Sequence, residues 1–167
     1  MAEYKGGDDV SSAMTICKPA ALKDHLKPGE CLLGLDVGSK TIGIAISDRA
    51  LIIASPLTVI QRTKFTKDAD SLWRLILDNN VGALCVGLPV EMNGTEGRQA
   101  QSVRTFVDNF QAIHSIPVAF WDERLSTVAV ERMMIQEADL SRRKRAKTVD
   151  RAAAAFILQG ALEAIRQ

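Results

Sequence analysis

Three acidic side chains stand where regular structure begins or ends along the chain. Asp36 follows an apolar, strand-like run, Glu123 follows a second such run, and Asp150 stands in the first turn of a predicted helix. An ionised carboxylate beside a buried strand is costly unless it is paired or bound to a cation. Converging carboxylates can hold two divalent cations about 4 Å apart, which activate a water and stabilise the leaving oxygen of a phosphodiester. The three acids are therefore candidates for catalysis and for metal binding.

Each acid also has an ordinary structural explanation. Asp36 could cap backbone N–H groups in the turn that follows it, and Arg124 could pair with Asp122 or Glu123. Asp150 would be favoured by the helix dipole in a first turn. Because strand ends and helix starts can converge on one edge of a sheet, the conjunction of the three favours a site. Oxygen ligands, without paired His or Cys, favour Mg²⁺ or Mn²⁺ over Zn²⁺ as its cation.

The glycine-containing segment 34–41 does not match a phosphate-binding P-loop. Three residues separate Gly34 from Gly38 where a P-loop has four, and Ser39 precedes Lys40 instead of following it. A P-loop also leads into a helix, whereas residues 42–46 alternate small and β-branched side chains like a strand. The segment is predicted to be a hairpin connection.

The hydrophobic pattern predicts an alternation of strands and helices. Strands are expected over residues 31–36, 42–48, 52–60, 83–88 and 117–121. Helices are expected around Leu72, Leu75 and Ile76, over residues 99–111, from a cap at Ser126 or Thr127 to about Glu137, and from a cap at Thr148 to Ile165. The fold class is α/β, a five-stranded mixed sheet with three antiparallel strands followed by parallel crossovers, flanked by helices. Pro56 places the third strand at a sheet edge.

Residues 1–30 mix Gly, Ser, Asp, Lys and two prolines without sustained periodicity. We predict a flexible N-terminal extension there, with a short helix around residues 20–25. The remaining residues, 31–167, are enough for one domain with its own core.

The start of the chain and its cysteines bear on the compartment. The N-terminus lacks the basic start and apolar run of a secretory signal, and no window is apolar for long enough to span a membrane. Cys17, Cys31 and Cys85 are widely spaced and odd in number, which predicts free thiols, buried at Cys31 and Cys85. The expected location is the cytoplasm, with no membrane partner.

Basic residues are concentrated in one short stretch, although the formal net charge is only +1. The stretch contains Arg142, Arg143, Lys144, Arg145, Lys147 and Arg151. For an isolated run a solvated loop and helix end is the simplest interpretation. Next to an acidic site, the run would instead hold a nucleic-acid backbone, since Arg suits bidentate phosphate contact.

Four sequence blocks resemble the motifs of the YqgF/RuvX family, in order and at compatible spacing. The blocks are the segment 33–48, which begins with LGLDVGSK and ends with SD, VGLP at 86–89 with NGTEG at 93–97, WDERLST at 121–127, and VDRAAA at 149–154. The similarity runs from about Cys31 to the end of the chain. Each block alone is a weak signal, and the four together are a strong one.

The resemblance implies a ribonuclease H-like fold related to Holliday junction resolvases, with Asp36, Glu123 and Asp150 as the matching acids. Bacterial members are associated with trimming the 5′ end of precursor 16S ribosomal RNA and have also been proposed as junction resolvases. The chain departs from the pattern at Thr41, where Arg often follows the Lys. Residues 1–30 have no counterpart in the short family members.

We therefore expect a metal-dependent nuclease acting on structured nucleic acid, with precursor RNA favoured over a four-way DNA junction by family association alone. A junction resolvase should be a dimer that presents two sites to two-fold symmetric DNA, so a monomer would count against it. The alternatives are a non-catalytic nucleic-acid-binding module and an actin-like sugar kinase or ATPase. The kinase would need a second domain, for which this chain has no room.

The basic candidates are assigned to phosphate. Lys40 and Arg124 are expected at the cleavage point, and flanking backbone is expected at Arg142, Arg143, Lys144, Arg145 and Lys147. If the 83–88 strand separates Glu123 from Asp36, two strand spacings of about 4.8 Å intervene. The long Glu side chain could bridge that distance, with Glu96 as the substitute if it cannot. Asp48 is a candidate for a supporting role.

Overall fold

The computed structural model describes residues 15–125 and 142–167, with the backbone alone at Leu125 and residues 142–148. Its strands are β1 (Ile16–Cys17), β2 (Cys31–Val37), β3 (Thr41–Ser47), β4 (Ala54–Gln61), β5 (Val81–Leu88) and β6 (Val118–Asp122). Its α-helices are α1 (Phe65–Asp78), α2 (Arg98–Ile113) and α3 (Arg142–Arg166), and 3₁₀ turns occupy Pro19–His25 and Glu123–Leu125.

The strands form one mixed sheet in the order β1-β6-β5-β2-β3-β4. β2, β3 and β4 are antiparallel neighbours, and β5 and β6 continue the sheet in parallel beside β2. The sequence predicted this antiparallel-then-parallel arrangement. β5 lies in the middle and is buried along nearly its whole length, as expected for a continuous apolar run covered on both faces.

Period-two alternation along the strands divides the core between two faces. Leu33, Leu35 and Leu84 pack with α1 and α2, whereas Leu32 and Cys85 pack with α3 on the other face. Asp36 is one residue beyond Leu35, so the alternation assigns it to the face that α3 covers. The helix that carries Asp150 therefore lies on the same side of the sheet as Asp36.

The edge strand β4 behaves as its proline predicts. Pro56 lies opposite Ala45 at an irregularity in the β3–β4 register, where a missing N–H can be tolerated. Asn80 follows α1 with a positive φ of 53°, in agreement with the stop signal at Asn79 and Asn80. Cys31 and Cys85 are buried free thiols, as predicted, and Cys17 is a partly buried free thiol.

The prediction of five strands was one too few. Ile16 and Cys17 form a sixth strand, parallel to β6 and paired with Val118 and Ala119. Two residues are too few to show a periodicity, so the sequence pattern could not reveal this strand. The described part of the expected flexible extension, residues 15–30, is in fact packed on the sheet, and its 3₁₀ turn covers the predicted short helix.

The start of the last helix was also predicted wrongly. α3 begins at Arg142 instead of after a cap at Thr148, because Arg, Lys and Ala all favour helix and the basic run continues it. Asp150 consequently lies about two turns inside the helix, where the dipole of a first turn does not account for it. The helix predicted from Ser126 or Thr127 to Glu137 falls outside the described residues. No helix within the described ranges is long and apolar enough to cross a membrane.

The packing of residues 15–30 can be tested at Leu22, which is 0% exposed and lies in the same cluster as Leu158 of α3. We expect Leu22→Ala to lower the free energy of unfolding by about 2–5 kcal/mol, since it leaves a buried cavity. Urea denaturation followed by circular dichroism measures the change. Leu77→Ala is the matched control, because Leu77 is 61% exposed. Equal effects of the two substitutions would contradict the packing.

Candidate active site

The carboxyl ends of β2, β5 and β6 meet at one edge of the sheet. Leu35 pairs with Val86, Val86 pairs with Phe120, and Leu88 pairs with Asp122, so the three strands run in register toward this edge. Asp36 is the next residue of β2, and Glu123 follows β6 directly in the 3₁₀ turn. As expected from the sequence, β5 lies between the two acids.

Glu123 nevertheless reaches Asp36, and the two carboxyl groups share a hydrogen bond. The path crosses β5 at Gly87. A Cβ atom there would lie 2.6 Å from Glu123 Oε1 and would overlap Ile157 Cδ1 of α3. The absent side chain at Gly87 thus provides the space in which the long Glu side chain bridges two strand spacings. Glu123, and not Glu96, is the acid that meets Asp36.

Burial and repulsion dominate the electrostatics of this pair. The pKa of Asp36 is raised to about 6, first by burial and then by the negative charge of Asp150. The pKa of Glu123 is raised to about 7, first by burial and then by the charge of Asp36. Two carboxyl groups can form such a hydrogen bond only when one proton lies between them, so the pair shares a proton. Two acids held in this way retain their proton more strongly than exposed acids do.

Asp150 completes the acidic cluster from α3. The helix crosses β3 at Gly43, where a Cβ atom would overlap the Asp150 carbonyl oxygen. Thr41 Oγ1 donates a hydrogen bond of 2.7 Å to Asp150 Oδ2. Asp150 is near enough to Asp36 for its charge to raise the pKa of Asp36, but it is turned toward Thr41. Across the described residues, no three Asp, Glu, His or Cys side chains are gathered closely enough to hold one ion.

An ion pair beside the cluster fixes the turn that carries Glu123. Arg124 Nη2 donates to Asp122 Oδ2 at 2.6 Å, and Arg124 Nε and backbone N both donate to Asp122 Oδ1 at 3.0 Å. Arg124 Nη1 also donates to the Met92 carbonyl at 3.5 Å, in the loop after β5. Hydrogen bonds from Arg124 hold the pKa of Asp122 below its usual range. The expected ion pair is therefore present at Asp122, which leaves Glu123 to face Asp36.

The other predicted residues are distributed as follows. Lys40 is exposed in the turn between β2 and β3, at the same edge as Asp36. Glu96 accepts two hydrogen bonds of 2.7 and 2.6 Å from Arg104, so it does not replace Glu123 beside Asp36. Asp48 accepts hydrogen bonds from the Ile52 and Ile53 amides at the opposite end of the sheet, so a supporting role is wrong for it.

The backbone of the basic segment forms the first turns of α3, which leads to Asp150. The side chains of Arg142, Arg143, Lys144, Arg145 and Lys147 are outside the described part, and their role in holding flanking backbone stays a prediction. Two features of the site were missed from the sequence: the passage at Gly87 and the bond from Thr41 to Asp150. Gly87 and Thr41 each stand in a block already singled out, but their partners are distant along the chain.

The raised pKa values predict how stability depends on pH without metal. Because the folded pKa values of Asp36 and Glu123 lie above their ordinary values, the pair contributes stability below about pH 4 that is lost as pH rises through about 6 and 7. Asp36→Asn removes one charge of the pair, so the loss of unfolding free energy between pH 5 and pH 8 should be smaller. Urea denaturation in EDTA measures it.

The matched control for that experiment is Asp48→Asn. The pKa of Asp48 is lowered by hydrogen bonds from the Ile53 and Ile52 amides, so Asp48 is charged throughout the same pH range. The unfolding free energy of this variant should fall between pH 5 and pH 8 by the same amount as that of wild type. If the unfolding free energy of Asp36→Asn falls as much as that of wild type over this range, the pKa values of the pair are not raised.

Relatives match most of the chain and most of their own length. The profile of the RuvX family, described as Holliday junction resolvase, matches residues 30–164. A protein of Bartonella henselae is 57% identical over 141 residues, covering 84% of this chain and 88% of that protein. A protein of Rhodospirillum rubrum is 50% identical over 152 residues, covering 91% and 94%. Both bear the name "Putative pre-16S rRNA nuclease".

Solved structures share the fold at low sequence identity. The Fowlpox virus resolvase, in complex with its substrate Holliday junction DNA, matches 82% of this chain and 99% of its own with a TM-score of 0.50 at 14% identity. A yeast mitochondrial Holliday junction resolvase matches 89% and 85% with a TM-score of 0.51 at 12% identity. These matches confirm the ribonuclease H-like sheet predicted from the sequence. On the profile and the relatives together, the chain belongs to the RuvX family, which the four sequence blocks predicted.

Proposed function

We propose that this protein is a metal-dependent nuclease that hydrolyses phosphodiester bonds in structured RNA, with 5′-end processing of ribosomal RNA precursor as its reaction. The observation that carries the proposal is the buried contact of Asp36 with Glu123, beside Asp150, where burial and neighbouring negative charge raise the pKa of both acids. A partly buried acidic cluster destabilises a fold. Its presence therefore indicates a functional site. The nuclease domain covers residues 31–167, with residues 15–30 packed against it.

The donors of the cluster fit a hard divalent cation. Asp36, Glu123 and Asp150 would hold Mg²⁺ or Mn²⁺ through carboxylate oxygens, which these cations prefer. A bound cation would replace the proton that Glu123 shares with Asp36, and Asp150 would contribute a further carboxylate oxygen from α3. When bound, such ions lower the pKa of water and neutralise charge on the leaving oxygen of a phosphodiester.

Phosphate contacts come from the exposed cations around this edge. Lys40 lies in the turn directly after β2 and can meet a phosphate beside Asp36. Arg124, which we predicted at the cleavage point, directs its donors to Asp122 and Met92, so we assign it to positioning the turn of Glu123. In the basic segment 142–147, each basic side chain would contact a separate flanking phosphate.

Precursor RNA is the preferred substrate because both named relatives carry a pre-16S rRNA nuclease name over nearly their full length. Such a substrate would place the protein in the cytoplasm. Cleavage of four-way DNA is the second candidate, favoured by the family description. It requires a homodimer, whereas RNA trimming is compatible with a monomer or a homodimer. A monomer in sedimentation of the purified protein would therefore count against junction cleavage, and a dimer would leave both open.

The direct test is cleavage of end-labelled precursor ribosomal RNA and of a four-way DNA junction, each with Mg²⁺, Mn²⁺ or EDTA. We expect wild type to cut RNA with either cation and not in EDTA. Asp36→Asn and Glu123→Gln should each lose about 100-fold or more in rate, since each removes charge that acts on the transition state. Asp48→Asn, at the opposite end of the sheet, is the matched control and should keep the wild-type rate.

The outcomes distinguish the three candidates. Preferential cutting of the junction would replace RNA processing with junction resolution. If neither substrate is cut, and wild type and Asp36→Asn bind both equally well, a non-catalytic binding module becomes the better description. Cutting in EDTA would reject the role of metal.

The basic segment makes a separate prediction about salt. For single-stranded nucleic acid, each phosphate contact contributes about 0.7 to the slope of log affinity against log salt. Replacing Arg142, Arg143, Lys144 and Lys147 by Gln keeps helix-favouring side chains and removes four charges. We expect a weaker affinity and a slope that is shallower by about 2 to 3. An unchanged slope would show that the segment does not contact phosphate.

A further inference from the structure

Thr41 occupies a fixed position at the start of β3, opposite the end of β2. Its carbonyl oxygen accepts a hydrogen bond of 2.8 Å from the Gly38 amide, which closes the turn between the strands. The Gly38 carbonyl in turn accepts a bond of 2.7 Å from Arg62 Nη1, and Thr41 pairs with Gln61 of β4. The backbone that carries the Thr41 side chain is thus held from both neighbouring strands.

The Thr41 hydroxyl uses that position to contact the one acid of the cluster that does not come from a strand end. Thr41 Oγ1 lies 2.7 Å from Asp150 Oδ2, the distance of a charge-assisted hydrogen bond. The contact is partly buried and joins residues that are 109 positions apart. It is a direct polar link between the sheet and α3 at the active edge.

We propose that Thr41 is a positioning residue whose hydroxyl sets the orientation of the Asp150 carboxylate for divalent-cation binding. The proposal deepens the metal-dependent activity proposed above and rests on it. Family resemblance placed Thr41 where Arg often stands and left it without a role. The structure provides a partner, and the partner is one of the three acids.

Two properties of threonine suit this role. Its branched side chain leaves few rotamers at χ1, so the hydroxyl is held where the backbone places it. A hydroxyl is also neutral, so it orients Asp150 without cancelling the negative charge that a cation needs. An unoriented carboxylate would have to lose rotational freedom when it binds the ion, which weakens the affinity.

A purely structural role is the competing explanation, since the bond also ties α3 to the sheet. The two explanations differ in what they predict for cation affinity. If Thr41 only ties the helix down, its loss lowers the melting temperature and leaves the affinity of the folded protein unchanged. If Thr41 orients Asp150, its loss weakens cation affinity even in protein that is fully folded.

The experiment compares Thr41→Val with Thr41→Ser in the full chain. Val keeps the shape and removes the hydroxyl, whereas Ser keeps the hydroxyl. Binding of MnCl₂ is measured by calorimetry without substrate, and Mg²⁺ is titrated into the RNA cleavage assay. We expect Thr41→Val to weaken Mn²⁺ binding by about 10-fold or more, the usual effect of removing a partner of a metal ligand. Thr41→Ser should stay within about 3-fold of wild type, and saturating Mg²⁺ should largely restore the rate of Thr41→Val.

Wild-type Mn²⁺ affinity in Thr41→Val would overturn the proposal, and so would equal losses in the two variants, because the methyl group and not the hydroxyl would then matter. Should Thr41→Val fail to fold, Thr41→Ala replaces it in the same comparison with Thr41→Ser. Absence of Mn²⁺ binding to wild type would reject both proposals. Mn²⁺ binding that depends on the hydroxyl, without cleavage of any substrate, would support the positioning role and reject the nuclease.

Discussion

The contact between Asp36 and Glu123 is the constraint to which the rest of the active edge is fitted. Two acids come together over a central strand, where burial raises the pKa of each; the charge of Asp150 raises that of Asp36 further, and the charge of Asp36 raises that of Glu123. Such a contact is unfavourable in itself, so other parts of the fold must impose it. Gly87 leaves open the path across β5, and the ion pair between Asp122 and Arg124 holds the turn from which Glu123 starts.

Other acids of the chain show what the fold does when no cation site is needed. Asp122, Glu96 and Asp48 all have lowered pKa values, the first two from hydrogen bonds with Arg and the third from backbone amides. The pKa values of Asp36 and Glu123 are raised instead, first by burial and then by a neighbouring negative charge. A shortage of arginine does not explain why these pKa values differ. Arg124 directly follows Glu123 in the sequence, but it pairs with Asp122. The arrangement gathers acids with raised pKa values at one edge of the sheet, which is typical of a functional site.

The sequence predicted those parts of the fold that depend on local pattern. Apolar runs located β2 to β6, Pro56 identified the sheet edge, and the blocks identified the acids. Long-range geometry was less accessible. A strand of two residues such as Ile16–Cys17 has no period, and a basic run does not reveal whether it is loop or helix. The reach of Glu123 depended on a glycine in another strand, and the partner of Thr41 was 109 residues away. Neither relation can be read from the spacing of residues that are close in the sequence.

The three acids are also held by different parts of the core. This determines which of them can move relative to the others. Asp36 and Glu123 are attached to parallel strands joined through β5, so their separation is fixed by the sheet. Asp150 is attached to α3, which packs through Leu158 and its neighbours on one face of that sheet. Its place relative to the pair depends on how closely the helix approaches β3 at Gly43. A small shift of α3 would therefore move Asp150 alone among the three acids. The bond from Thr41 resists this shift at the active edge, and the bond between Gln159 and the Ala54 amide resists it farther along the helix.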